Sequence, residues 1–381
     1  VERLRIVLAG GGTGGHVYPA LAVVASAAEA DENAPAEFLW VGTDDGLERG
    51  IVERHGLPFQ AIDAAAIRGR SPVAAAGSVI HLARGTAQAM ALLNRFRPNA
   101  VLATGGFVCV PVVLAARLVG VPSVVYLPDL RPGWAVRFLA RFATAVAVSF
   151  DEVVPFIPAR DIRVTGYPVR PDLFGWTQVA ARARLGLSPT EPIVLVLGGS
   201  RGARSINSAI AGDIERLVRV AQVIHVTGQP NVAEIEATRD RLWPADQERY
   251  RVYPYLDADL APSLAAATLV IARSGASVLG ELPAVGAAAI LVPYPHAGAH
   301  QRLNADFLAQ RGAAVVVDDA AAQTGDLGQA VLDLLGDQAR LSGLAAASRQ
   351  LARPDAARNL YHLLGKLAFE QRELRAGWRS A

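Results

Sequence analysis

Short, continuously apolar runs alternate along the chain with longer stretches in which apolar residues return at helical spacing. The runs at 4–9, 37–41, 100–103, 123–126 and 145–148 predict strands buried on both faces, and the stretches between them predict covering helices. A second series at 192–197, 223–226, 251–253, 269–272, 289–292 and 314–317 repeats the alternation. Such an order predicts parallel sheets with helices on both sides. The two series part near Thr165-Gly166-Tyr167-Pro168-Val169-Arg170-Pro171, where one Gly and two Pro residues break regular structure. The expected organisation is two α/β domains, 1–166 and 167–354, with the segment 355–381 packing back on the first.

Composition narrows the class. At 381 residues the chain is longer than one hydrophobic core usually serves, and 52% hydrophobic with 19% charged residues describes a folding sequence. The single cysteine, Cys109, lies in the apolar run Phe107-Val108-Cys109-Val110 and reads as a buried structural thiol suited to a reducing compartment. No cationic leader with an apolar core is visible. The most apolar region, 100–127, is interrupted by Gly105-Gly106, Pro111, Arg117 and Pro122, so it reads as strand, helix and strand rather than a membrane span. A net charge of +2 is uninformative, but its distribution is not. Between 64 and 150 stand Arg68, Arg70, Arg84, Arg95, Arg97, Arg117, Arg131, Arg137 and Arg141 against one acid, Asp129. This excess predicts a surface that meets phosphates or anionic lipid, although solvated helix faces would also account for it. Nucleic acid is a weaker candidate than these and is not the expected partner.

Three glycine loops follow predicted strands: Gly10-Gly11-Gly12-Thr13-Gly14-Gly15-His16, Thr104-Gly105-Gly106-Phe107 and Gly198-Gly199-Ser200-Arg201-Gly202-Ala203. Glycine lets backbone approach a ligand, and a following helix N-terminus favours negative charge, so the three together predict a phosphorylated ligand at strand C-terminal ends. The first loop also fits a dinucleotide fingerprint. That reading requires an acid closing the next strand, which instead ends Leu39-Trp40-Val41-Gly42, with Asp44 and Asp45 in the loop beyond. A fourth stretch, Arg273-Ser274-Gly275-Ala276-Ser277-Val278-Leu279-Gly280-Glu281-Leu282, predicts a helix capped by Ser274 with Glu281 about two turns along, placed to accept hydrogen bonds from a ribose. Asp257-Ala258-Asp259 mimics a metal-binding D-x-D pair, yet Asp before a helix is the ordinary capping residue. No metal or cofactor is expected.

In order, and over nearly the whole length, Gly11-Gly12-Thr13-Gly14-Gly15-His16, Ile67-Arg68-Gly69, Thr104-Gly105-Gly106-Phe107-Val108, Pro168-Val169-Arg170, Gly199-Ser200-Arg201-Gly202-Ala203-Arg204, Arg273-Ser274-Gly275-Ala276, Glu281 and His300-Gln301-Arg302-Leu303-Asn304-Ala305 resemble the MurG family of N-acetylglucosaminyltransferases. The resemblance implies a GT-B fold of two Rossmann-like domains facing a cleft, with UDP-GlcNAc held mainly by the second domain. It implies a lipid-pyrophosphate acceptor on the side of the first, at the cytoplasmic face of the cell membrane, and inverting conversion of lipid I to lipid II. Carried over by position, Thr13, Gly14 and Gly15 resemble donor contacts and His16 the candidate base. Arg170 matches an arginine near the donor, Ser200 a phosphate contact, and Leu256 the backbone position that reads uracil. Ala276, Ser277 and Glu281 match the phosphate and ribose helix, Gln301 a sugar contact, and Arg68, Gly105 and Gly106 the acceptor side.

Two departures from the family pattern stand out. Tyr126-Leu127-Pro128-Asp129 replaces the usual His-Glu-Gln-Asn, so Asp129 takes the place of a sugar-binding asparagine and becomes a second candidate base. Gly166-Tyr167-Pro168 replaces Gly-Asn-Pro. Alternatives compatible with the sequence are another UDP-sugar-dependent lipid glycosyltransferase or a diverged paralogue, and, behind these, a UDP-GlcNAc epimerase on the same fold or a donor-binding protein without transfer. A peripheral membrane surface is expected around Arg84, Arg95 and Arg97, with Val79, Ile80, Leu82, Met90, Leu92 and Leu93 as apolar residues.

Overall fold

The computed structural model describes residues 3–30, 36–64, 72–199, 202–296 and 300–380, with backbone alone at 72–77 and 375–380. The chain forms two compact units, Val1–Arg170 with Asp355–Ala381, and Pro171–Pro354. Each is a doubly wound, wholly parallel α/β sheet.

The first unit contains β1 (Arg5–Gly10), β2 (Glu37–Gly42), β3 (Phe59–Ala61), β4 (Ala100–Gly105), β5 (Ser123–Leu127), β6 (Ala145–Val148) and β7 (Ile162–Val164), in the order β3-β2-β1-β4-β5-β6-β7. Successive side chains of a strand face opposite sides, and β1 shows the result. Ile6 and Leu8 enter one core with Val17, Trp40 and Tyr126, while Val7 and Ala9 enter another with Val101, Val113 and Val125. Both faces are dry, which is why these strands read as unbroken apolar runs. The helix Ala356–Ser380 places Leu360, Leu363, Leu364 and Leu367 in the first of these cores, so the end of the chain completes the N-terminal unit.

The second unit contains β8 (Ile193–Leu197), β9 (Gln222–Val226), β10 (Tyr250–Tyr253), β11 (Leu269–Ala272), β12 (Ala289–Leu291) and β13 (Ala314–Val316), ordered β10-β9-β8-β11-β12-β13. In both units the strand order reverses beside the first strand, between β1 and β4 and between β8 and β11. Helices leave to opposite sides at such a point and open a crevice beyond the strand C-termini, where α/β proteins bind ligands. The glycine loops leave these strands.

β3 and β7 are absent from the hydrophobic pattern. Each is three residues long, at a sheet edge and partly exposed, so neither presents a continuous apolar run. Among the described residues no helix is long and apolar enough to cross a membrane.

Candidate functional site

In the first unit the loop after β1 is locked against the loop after β4. The Gly11 N–H donates to the Gly105 carbonyl at 3.1 Å, and the β1–β4 register slips between Ala9 and Gly10 as the strands part. Gly105 has φ +130° and lies against the His16 ring, where a Cβ would collide with the imidazole, so this position admits only glycine. Thr104 Oγ1 donates to the His16 carbonyl at 2.6 Å, and the Trp40 indole N–H to the Gly10 carbonyl at 3.1 Å. The Cys109 thiol bonds the Gly105 carbonyl at 3.1 Å. Burial pushes its pKa up to about 12, so it is a protonated structural tie.

His16 sits in the first turn of the helix Gly14–Ala30 and is half-buried. Its Nδ1 lies 2.8 Å from the Gly11 carbonyl. A carbonyl only accepts, so Nδ1 carries the hydrogen, and in the neutral ring Nε2 keeps a lone pair. That is the protonation pattern of a general base whose orientation is set by its other nitrogen. Thr13 Oγ1 is 3.4 Å from Nδ1, and Thr13 itself is exposed at the loop tip, with Gly14 and Gly15 opening the helix behind it. Arg170 closes the group, its guanidinium 5.6 Å from the centre of the Tyr18 ring, which in turn borders Gly14.

Asp129 follows β5 and is half-exposed. The turn that carries it is held by Ser149, whose hydroxyl lies 3.1 Å from the Pro128 carbonyl and 2.7 Å from the Tyr126 hydroxyl. The Tyr126 and Tyr167 rings meet edge-to-face with centroids 6.4 Å apart, an arrangement worth about 0.5–1.5 kcal/mol beyond area burial. The two departures from the family pattern are therefore one packing unit. Burial holds the Tyr126 hydroxyl well above its ordinary pKa, so it serves as a neutral strut and not as an acid or base.

In the second unit the loop after β11 carries Ala276 and Ser277, both half-exposed, into the helix Val278–Val285. Ser274 does not cap this helix. It is fully buried, and its hydroxyl donates to the Gln301 carbonyl at 2.8 Å, while the Asn304 amide donates to the Ser274 carbonyl at 3.0 Å. The helix thus begins later than the sequence suggests, and Glu281 stands in its first turn, where a carboxylate is favoured by the helix dipole. No acceptor is engaged by the N–H groups of Gly275, Ala276 and Ser277 among the described residues. Gln301 opens the helix His300–Gln310. Its side-chain carbonyl accepts from the Tyr294 N–H at 2.9 Å, which leaves the amide NH₂ as a donor.

Arg273, at the end of β11, donates to the Val292 carbonyl at 3.1 Å and to Ser205 at 2.8 Å, and pairs with Asp319. Asp319 and Ser205 carry no sequence signal, since their partner lies far along the chain. Leu256 is buried just beyond β10, between exposed Tyr255 and Asp257. Asp259 stands at the N-cap of the helix Leu260–Ala266 without a side-chain cap bond, and pairs with Arg184 at 3.1 Å. Among the described residues no group of three His, Cys, Asp or Glu could hold a metal ion. Ser200 and Arg68 lie outside the described residues.

Behind the loop after β8 runs a buried polar chain. His225 on β9 is 2.7 Å from the Tyr250 hydroxyl and 3.1 Å from Asn207 Oδ1, and the Asn207 amide donates to the Thr227 carbonyl at 2.9 Å. Gly202 presses against that same carbonyl, so the chain braces the glycine loop. Burial lowers the His225 pKa from 6.5 to about 3. The unfolded chain takes up a proton near pH 6.5 that the folded chain refuses. Stability from this residue is therefore complete above pH 6.5 and is lost as pH falls toward 3. His225→Gln is expected to flatten the acid-side fall of the urea midpoint; equal slopes for the two proteins would refute this.

Helix Pro72–Phe96 packs beside helix Cys109–Val119. It exposes Val79 (62%) and Ile80 (69%), whereas Leu92 and Leu93 are buried in the core and Leu82 and Met90 pack against it. The expected apolar surface is thus reduced to Val79 and Ile80. Arg84 lies 4.0 Å from Asp63, and Arg95 and Arg97 are exposed at the helix end, about 16 Å beyond Arg84 at 1.5 Å per residue.

Residues 6–148 match the glycosyltransferase family 28 N-terminal domain, and residues 193–360 match the glycosyltransferase family 28 C-terminal domain. The UDP-N-acetylglucosamine--N-acetylmuramyl-(pentapeptide) pyrophosphoryl-undecaprenol N-acetylglucosamine transferase of Roseiflexus sp. (strain RS-1) is 44% identical, over 97% of this chain and 96% of that protein. The enzyme of the same name from Desulforudis audaxviator (strain MP104C) is 41% identical, over 96% of this chain and 99% of that one. The crystal structure of Acinetobacter baumannii MurG matches with a TM-score of 0.73 at 27% identity, covering 96% of this chain and 99% of that chain. With both family 28 domains in order, two Rossmann-like sheets of the GT-B class and similarity to these enzymes along almost its full length, the chain belongs to the MurG family of glycosyltransferases.

Proposed function

We propose that the chain transfers N-acetylglucosamine from UDP-GlcNAc to lipid I, forming lipid II with inversion at the anomeric carbon. One observation carries this reading: the 44% identity, over nearly all of both chains, to an enzyme named for transfer to a pyrophosphoryl-undecaprenol acceptor. The acceptor hydroxyl attacks the anomeric carbon as the bond to the UDP oxygen breaks. Its proton passes to His16 Nε2, and the bonding electrons leave on the diphosphate.

The N–H groups at Gly275, Ala276 and Ser277 offer donors to the diphosphate, Glu281 accepts from the ribose, and the Gln301 NH₂ donates to the sugar. Leu256 offers backbone to the uracil, and Thr13, Gly14, Gly15 and Arg170 are assigned to the donor by their match to the family. Ser200 is assigned to the phosphates, and Arg68, Gly105 and Gly106 to the acceptor side. Asp129 accepts from sugar hydroxyls in place of the family asparagine. The purified chain is expected to release UDP from UDP-GlcNAc only when lipid I is present. Acceptor-independent conversion to another sugar nucleotide would instead identify an epimerase.

The first unit is further proposed to rest peripherally on the anionic cytoplasmic face of the membrane, supported by the exposure of Val79, Ile80, Arg84, Arg95 and Arg97. Each basic group near such a surface contributes about 1 kcal/mol. Co-sedimentation with anionic vesicles should fall with added salt and be largely lost in the Arg84/Arg95/Arg97→Glu variant. Equal sedimentation of wild type and variant would reject this surface.

A further inference from the structure

Glu48 is almost completely buried, at 1% exposure, in the second position of the helix Leu47–Arg54. Its carboxylate is filled with donors: Oε2 accepts from the Gly12 N–H at 3.1 Å, and Oε1 accepts from the Thr43 N–H and the Thr43 hydroxyl, each at 3.0 Å. Three glycines make room for it. A Cβ on Gly11 would lie 2.5 Å from Oε1, one on Gly42 would lie 3.0 Å from Cγ, and one on Gly46 would overlap the carboxylate. In a glycine loop of this kind the backbone N–H groups ordinarily turn to a ligand phosphate. Here the Gly12 N–H is already satisfied by an anion belonging to the protein.

The consequence reaches His16. Gly11 and Gly12 share a peptide bond, whose N–H points to Glu48 and whose carbonyl accepts the His16 Nδ1 hydrogen at 2.8 Å. One rigid peptide plane therefore joins the two side chains, and hydrogen bonds along such a line polarise one another. We propose that Glu48 is a positioning residue that, through the Gly11–Gly12 peptide, holds His16 in the tautomer that leaves Nε2 bare. This rests on the reading of His16 as the base. Glu48 touches no reacting atom; its part is to fix where the base points and which nitrogen carries the hydrogen.

Glutamine is the discriminating replacement. It has the same shape, but its NH₂ must face either Gly12 N–H or Thr43 N–H, so one donor meets a donor in either orientation. In ¹⁵N spectra of the full chain, wild-type His16 should show a protonated Nδ1 and a bare Nε2. Glu48→Gln should show a mixture of tautomers. Its kcat should fall about ten- to a hundredfold, the scale of one hydrogen bond to a charged group, with UDP affinity unchanged. Thr43→Val, which removes one donor from the carboxylate, should move both readouts less and in the same direction, and it carries the test if Glu48→Gln fails to fold. Wild-type tautomer and kcat in Glu48→Gln, or in Thr43→Val where only that variant folds, would overturn the proposal while a crippled His16→Ala left the base assignment standing. Wild-type turnover in His16→Ala would overturn the assignment on which it rests.

Discussion

Replacing His16 with Ala is expected to lower kcat by about 10²–10⁴-fold, the range contributed by a positioned general base, while UDP affinity is retained. The expectation follows from the loop geometry. The Gly11 carbonyl takes the Nδ1 hydrogen at 2.8 Å, Thr104 fixes the His16 backbone carbonyl at 2.6 Å, and Gly105, lacking a Cβ, makes room for the ring. Such a ring loses little freedom when it accepts a proton. Asp129 is the competing base, and Asp129→Asn separates the two roles. A carboxylate that merely accepts from sugar hydroxyls can be replaced by an amide that donates and accepts, so much of the activity should survive. Single-turnover rates for the two variants decide between them. A larger loss in Asp129→Asn than in His16→Ala would move the base to Asp129.

Glu281→Ala should weaken UDP binding by about 1.5–3 kcal/mol, roughly ten- to a hundredfold in Kd, the cost of losing hydrogen bonds to a charged acceptor. Glu281 stands in the first turn of Val278–Val285, beside buried Leu279 and Leu282 and just beyond the N–H groups of Gly275, Ala276 and Ser277. A carboxylate this close to a helix N-terminus also stabilises the helix by about 0.3–1 kcal/mol, so thermal unfolding of the free variant must be measured alongside. Calorimetry with UDP reads the binding term separately. Unchanged affinity would remove Glu281 from the ribose, whatever happened to stability.

The central strands of both sheets were legible because burial on two faces makes them continuous apolar runs, as at Ile6, Val7, Leu8 and Ala9. The edges were not, because Gln60 in β3 and Arg163 in β7 reach solvent and interrupt the pattern. The glycine loops were legible as turns that leave strand C-terminal ends, but their internal wiring was not. Ser274 before a helical pattern reads as a cap, yet its hydroxyl is used by Gln301, 27 residues away. Glu48 is separated from Gly12 by 36 residues, and it stands in the charged segment Leu47-Glu48-Arg49-Gly50-Ile51-Val52-Glu53-Arg54, which gives no sign of its burial. Tyr126 and Tyr167 appeared as two unrelated departures, whereas both are buried and their rings meet. In each case the deciding contact joins positions distant in sequence, which periodicity and motif spacing do not encode.

The transfer itself is tested most directly by incubating the purified chain with labelled UDP-GlcNAc and lipid I, quantifying UDP and lipid product, and determining the anomeric configuration of the new linkage. The account predicts one UDP for each lipid II formed, with the configuration at the anomeric carbon inverted relative to the donor. UDP release without lipid II, or a linkage that retains the donor configuration, would contradict it.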